Sequence, residues 1–116
     1  MRKIVVMGLI VLVVASAGFL FWSTRGTTHT IIRTNEGSEP NKLTILRGDT
    51  VQFLNQSSDF HWPASDLHPT HGIYPDFDPR QPVAVGEEWS FRFAEVGEWK
   101  FHDHLHANEI GTITVQ

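Results

Sequence analysis

The segment from Gly97 to His104 constrains the fold of this chain more than any other stretch, because its residues alternate in type with a period of two. In a β-strand, successive side chains point to opposite faces of the sheet. One face would carry Trp99, Phe101 and Asp103, and the other would carry Lys100, His102 and His104. We expect Trp99 and Phe101 to face the core, so that His102 and His104 point away from it.

Other short segments have the β-branched, aromatic or alternating content that is typical of strands. They are Thr30–Arg33, Lys42–Arg47, Thr50–Asn55, Gly86–Phe93 and Gly111–Val115. We expect the strands at 42–47 and 50–55 to pair with each other across the turn at Gly48 and Asp49. Helical periodicity is absent beyond the N-terminal segment, so the sequence predicts an all-β domain.

Residues 56–85 are interrupted by five prolines, at positions 63, 69, 75, 79 and 82, which argues against a regular central strand or a long helix. The sequence therefore predicts one loop of about thirty residues, and loops of this length in compact domains are commonly functional. It contains His61, His68 and His71 together with aromatic residues such as Tyr74 and Phe77. We expect these aromatic side chains to pack the loop against the domain.

The N-terminal segment predicts export from the cytoplasm. Residues 4–22 contain no charged side chain, and a helix of this length can cross most of the hydrocarbon core of a bilayer. Arg2 and Lys3 would keep the N-terminus in the cytoplasm. The alternative is a signal peptide that is cleaved near Ala15–Ala17. We favour an uncleaved membrane anchor over residues 1–24, followed by an extracytoplasmic domain over residues 25–116, on the periplasmic or extracellular face.

The composition excludes several classes of protein. A chain of 116 residues has room for one small domain with a single core. It contains no cysteine, so it cannot form a disulfide, a thiolate metal site or a cysteine nucleophile. The net charge of -4 and the lack of a basic cluster beyond Arg2 and Lys3 argue against binding to nucleic acid.

The order of these elements resembles a cupredoxin over residues 28–116. The resemblance lies in Leu43–Asn55, in His61, and in Gly97–Phe101 with the histidine-rich loop that follows. It implies a Greek-key β-sandwich with copper at one end. Matched to the blue-copper ligands, His61 takes the early His and His106 the late His, but Asp103 replaces the Cys and Glu109 the Met. A blue-copper site, which needs the copper–thiolate bond, is therefore excluded.

A second resemblance involves the same strand. The pattern Gly97-x-Trp-x-Phe-His-Asp-His104 is similar to a strand of the multicopper oxidases, and His61-Trp62 is similar to their His-Trp-His stretch. It implies that His102 and His104 bind metal on the outer face of the sandwich. Their partner histidines would come either from the long loop, as His68 and His71, or from another subunit. The spacing alone does not decide between the Asp103 face and the face of His102 and His104.

We therefore predict that histidines bind a metal, most favourably Cu(II), with zinc as the second choice. The candidate ligands are His61, His104, His106, His102, His71 and His68. Asp103 and Glu109 would either bind the metal or orient a ligating imidazole. The predicted function is copper handling or redox by a membrane-tethered domain with a redox or metal-transfer partner. The alternatives are a copper-dependent enzyme with its site at a subunit interface, and a metal-free interaction module.

Overall fold

The computed structural model describes residues 26–116, which form eight β-strands and their connections. The strands are β1 (Thr28–Thr34), β2 (Gly37–Glu39), β3 (Lys42–Ile45), β4 (Thr50–Asn55), β5 (Pro63–Ser65), β6 (Glu88–Arg92), β7 (Gly97–Asp103) and β8 (His106–Val115). The predicted anchor at residues 1–24 lies outside the described part of the chain. Within that part, no helix has the length and apolar character needed to cross a membrane.

The strands form two four-stranded sheets, in the orders β2-β1-β4-β6 and β3-β8-β7-β5. β1 is parallel to β4 and β3 is parallel to β8, whereas the remaining neighbours are antiparallel. The predicted all-β sandwich is confirmed.

The predicted pairing of β3 with β4 is wrong. β3 pairs with β8 in one sheet, and β4 pairs with β1 and β6 in the other. Ile45 on β3 and Val51 on β4 are both buried in the same core. The turn at Gly48 therefore carries the chain from one sheet to the other, because the apolar faces of both strands are buried together only when they oppose each other across the core.

The core between the sheets is mainly aromatic. The ring of Phe53, from β4, lies 5.6 Å from Phe77, 5.7 Å from Trp89 and 5.8 Å from Phe101, measured between ring centroids. Phe77 and the neighbouring Tyr74 belong to the long loop and are buried in this core. The prediction that the loop packs against the domain is therefore confirmed.

The long loop is not continuous, because β5 interrupts it. β5 pairs antiparallel with β7, with Pro63 opposite Asp103 and Ala64 opposite His102. Pro63 begins this edge strand, a position where a residue without an N–H group is tolerated. The pairing places the segment that follows β5 beside His102. The prolines had argued against a strand in this segment, so β5 was not predicted. This short strand thus positions the loop histidines.

Candidate metal centres

The six candidate histidines form two clusters on opposite faces of the sheet at the end of β7. Phe101 and Asp103 face the interior of the sandwich, and His102 faces away from it, as the alternation predicts. The four-histidine cluster contains His68, His71, His102 and His104. The Asp103 cluster contains His61, Asp103, His106, Glu109 and Arg33.

The four-histidine cluster combines the end of β7 with the long loop. The ring centroid of His68 lies 5.2 Å from that of His102 and 4.9 Å from that of His104. The ring centroid of His71 lies 5.1 Å and 4.8 Å from the same two rings. One nitrogen each of His68, His102 and His104 lie within 4.8 Å of one another. The structure thus brings together the four histidines that the second resemblance grouped.

Two carboxylates orient two of these imidazoles. Asp66 Oδ1 lies 2.8 Å from His102 Nδ1, and Asp78 Oδ2 lies 2.7 Å from His71 Nδ1. An ionised carboxylate only accepts hydrogen bonds, so each Nδ1 carries the proton and each Nε2 keeps its lone pair. Histidines that bind metals are commonly held in this way. His102 Nε2 is buried and has no hydrogen-bond partner among the described residues.

The distance between His71 and His104 suits a shared metal ion. His71 Nε2 and His104 Nδ1 lie 3.1 Å apart, so that His104 Nδ1–H donates to His71 Nε2. Two nitrogens that each lie 2.0–2.1 Å from a tetrahedral metal ion are about 3.3 Å apart. The two nitrogens could therefore ligate one ion with little movement, once His104 changes its tautomer.

Asp78 connects this cluster to Trp62. The indole N–H of Trp62 donates to Asp78 Oδ1 over 2.8 Å, and the Trp62 ring lies 4.7 Å from the His104 ring between centroids. Burial raises the pKa of Asp78, but the hydrogen bonds from His71, the Arg80 backbone and Trp62 together hold that pKa below its usual value. Asp78 therefore stays ionised and fixes both the indole and one imidazole.

The environment also keeps His104 neutral. Burial lowers the pKa of His104, and the charges that His71, His68 and His102 would carry lower it further. A neutral imidazole is the form that binds a metal ion. The crowding of the rings therefore favours the protonation state that coordination requires.

The Asp103 cluster is an ion-pair network centred on a buried carboxylate. Asp103 Oδ2 lies 3.1 Å from Nδ1 of both His61 and His106, while Oδ1 accepts the backbone N–H groups of Trp62 and Leu105, each over 3.0 Å. Burial raises the pKa of Asp103, but the hydrogen bond and charge of His61 and the Leu105 N–H group hold it far below the usual value. Asp103 thus holds both imidazoles through their Nδ1 atoms.

Arg33 supplies the positive charge of this network. It lies on β1, its side chain is only 6% exposed, and its Nε lies 3.6 Å from Asp103 Oδ2. A second nitrogen of the guanidinium forms an ion pair with Glu109. Asp103, His106 and Glu109 do offer donor atoms within 4.8 Å of one another, but a guanidinium lies among them.

Sequence reasoning missed Arg33 and Asp66. The period of two did contain a signal for Arg33, because it shares a face with Ile31 and must point into the sandwich. No spacing pattern indicated Asp66, which meets His102 only through the pairing of β5 with β7. His29, the one histidine that was not a candidate ligand, lies 2.9 Å from Asp49 Oδ2. Its partner Asp49 belongs to neither cluster.

The fold is similar to that of known cupredoxins. A purple cupredoxin from Nitrosopumilus maritimus is 26% identical, with a TM-score of 0.66, and the match covers 75% of this chain and 98% of that one. A reduced amicyanin variant is 19% identical over 77% and 82% of the two chains, with a TM-score of 0.67. A fern plastocyanin mutant is 18% identical over 76% and 100%, with a TM-score of 0.61. No protein-family model and no curated protein matches the sequence.

Proposed function

We propose that this cupredoxin-like domain binds copper through the four-histidine cluster and acts in copper handling or electron transfer outside the cytoplasm. The observation that carries the proposal is the pair of carboxylate–histidine contacts, Asp66 with His102 and Asp78 with His71. They fix the tautomers that leave a lone pair on both Nε2 atoms, and this lone pair is what binds a metal ion.

The donor set favours copper over other divalent metals. Four imidazoles without a thiolate suit Cu(II) and Zn(II), and copper binds most tightly in the first-row series. An amicyanin variant that shares this fold has been solved with Cu(I). Bound copper would supply one-electron chemistry, whereas bound zinc would not. Zinc remains the second choice for the site.

The chain's own residues would orient the ligands and control access to the site. Asp66 and Asp78 hold two of the imidazoles, and Trp62 covers one side of His104. His68 is exposed, whereas His71 and His102 are buried. The exposed side of the cluster would therefore let a metal-transfer or redox partner reach the ion directly.

Membrane tethering and an extracytoplasmic location are part of the same proposal. They rest on the uncharged segment at residues 4–22 and on Arg2 and Lys3 before it. Protease treatment of intact spheroplasts should digest the C-terminal domain, and the protein should stay with the membrane fraction after a carbonate wash. Protection from the protease would contradict the proposed orientation, and release by carbonate would contradict the anchor.

The metal site can be tested by titrating the full chain, purified in detergent, with Cu(II) while recording EPR spectra. We expect one tightly bound copper per chain with nitrogen hyperfine structure. The double variant His71→Ala/His104→Ala should lose this signal. His29→Ala is the matched control, since His29 bonds to Asp49 outside both clusters, and it should keep the signal. Equal copper binding by the double variant would overturn the proposal.

A further inference from the structure

We infer that the Arg33 guanidinium occupies the position where the cupredoxin resemblance places copper. The Asp103 cluster then binds no metal ion and instead links the two sheets. The residues matched to the four blue-copper ligands are His61, Asp103, His106 and Glu109. The inference rests on their contacts alone and holds whether or not the four-histidine cluster binds copper.

The hydrogen bonds of the two histidines argue first against a metal ion at this position. His61 Nδ1 and His106 Nδ1 each lie 3.1 Å from the same oxygen, Asp103 Oδ2. The ionised carboxylate can only accept, so both nitrogens must donate a proton. A nitrogen that carries a proton has no lone pair for a metal. The two imidazoles therefore turn protonated nitrogens towards the centre of the cluster.

The carboxylate itself is already saturated. Asp103 Oδ1 accepts two backbone N–H groups, and Oδ2 faces two imidazoles and Arg33 Nε. A carboxylate has about four lone-pair sites, and the hydrogen bonds from the two backbone N–H groups and the two imidazoles use them all. A metal ion would have to displace at least one of these contacts before it could bind to Asp103.

The charge of Arg33 supplies the strongest argument. A metal ion bound to Asp103 Oδ2 at about 2.0–2.2 Å would lie less than about 6 Å from Arg33 Nε, because Nε is 3.6 Å from that oxygen. Arginine keeps its charge in proteins, so the two cations would repel each other in a buried site. Glu109, the fourth matched position, is also paired with Arg33.

The same contacts give Arg33 a structural role. It lies on β1 in one sheet, while Asp103 lies on β7 and Glu109 on β8 in the other. Its guanidinium thus links the two sheets at the end of the sandwich where the resemblance places a metal. Without it, the carboxylates of Asp103 and Glu109 would both lose the guanidinium with which they are paired.

The experiment compares Cu(II) stoichiometry, measured by equilibrium dialysis, in the full chain and its variants. His106→Ala should bind as much copper as the unmodified protein. Arg33→Met, which removes the charge but keeps the length, should bind one additional copper per chain, and Arg33→Met/His106→Ala should lose it. Arg47→Met, at an exposed position, is the matched control for the charge change and should gain none. Loss of copper from His106→Ala, with the four-histidine cluster unchanged, would overturn the inference.

A second measurement needs no variant that could fail to fold. Long-range proton–nitrogen spectra of the unmodified, 15N-labelled protein report the state of each imidazole nitrogen before and after Zn(II) is added. We expect Nδ1 of His61 and His106 to stay protonated and unshifted. A shift of either nitrogen to the metal-bound range would overturn the inference. Zinc-induced shifts that are confined to the imidazoles of the four-histidine cluster would support it, and so would the absence of any shift at His61 and His106 when the protein binds no zinc.

Discussion

His102 and Asp103 are adjacent on β7, yet their side chains belong to different clusters on opposite faces of the sheet. His102 Nδ1 lies 2.8 Å from Asp66 Oδ1, whereas Asp103 Oδ2 lies 3.1 Å from His61 Nδ1. The register between β7 and β8 shifts between these two residues. One dipeptide thus contributes to a candidate metal site and to an ion-pair network, and the two can be altered separately.

Asp66 should contribute to metal affinity without touching the metal. Asp66→Asn keeps the size of the side chain but weakens the hydrogen bond that orients His102. Loss of such an orienting contact typically costs 10–100-fold in affinity, so we expect a roughly 10–100-fold weaker binding of Cu(II). Competition with a chelator of known affinity measures the change. Asp76→Asn, at an exposed position of the same loop, is the control and should bind normally; equal weakening in both variants would contradict the assigned role.

Asp103 should make the fold sensitive to acid. Its folded pKa lies far below the unfolded value of about 3.9, since the contacts from His61 and the Leu105 N–H group outweigh burial. As the pH falls, the unfolded chain takes up the proton first. The stabilisation is therefore complete above about pH 5 and is lost progressively below that pH.

Asp103→Asn should reveal this contribution. We expect it to lower the free energy of unfolding at pH 7 by roughly 3 kcal/mol, because it leaves Arg33 with Glu109 as its one remaining carboxylate partner in a buried site. It should also lose less stability than the unmodified protein between pH 5 and pH 2. Urea unfolding at a series of pH values measures both effects. A variant whose stability falls as steeply as that of the unmodified protein would contradict this account.

Metal binding should weaken in mild acid. Protons compete with metal for the imidazoles, whose unperturbed pKa is about 6.5, so affinity should fall as the pH drops below this value. Burial and the neighbouring histidines lower the pKa of His104, so it should be neutral already at pH 7 and take up its proton only at lower pH. Cu(II) titrations at pH 7.5 and 5.5 check the first expectation, and an NMR titration of metal-free His104 checks the second. The same affinity at both pH values would argue against histidine ligands.

Gly111 should be essential to the packing of β7 against β8. A methyl group at this position would overlap the ring of Phe101 and lie 2.9 Å from the backbone oxygen of Asn41. Overpacking of this kind typically costs about 1–3 kcal/mol, so Gly111→Ala should lower the free energy of unfolding by that amount. Gly72→Ala is the control, because its methyl group would lie 3.5 Å from Thr70 Oγ1, an ordinary contact. Equal stability of the two variants would contradict the packing.

Several features of the fold could be predicted because they depend on residues that are close together in the sequence. The period of two along Gly97–Asp103 correctly separated Phe101 from His102, since alternation is a property of the extended backbone itself. The burial of the aromatic residues in the long loop could be predicted for another reason, because large apolar side chains favour a place in the core. The pairing of β3 with β4 was predicted wrongly, because periodicity identifies the faces of a strand but not its partner.

The sequence by itself determined an all-β domain without thiol ligands, in which His102 and His104 point away from the core. Only the tertiary structure decided which distant groups meet them. The pairing of β5 with β7 brings the loop histidines to the outer face, and the packing of the two sheets places Arg33 beside Asp103. The physical reason is that backbone geometry sets which way a side chain points, whereas its partners depend on how distant segments bury their apolar faces and neutralise their charges together.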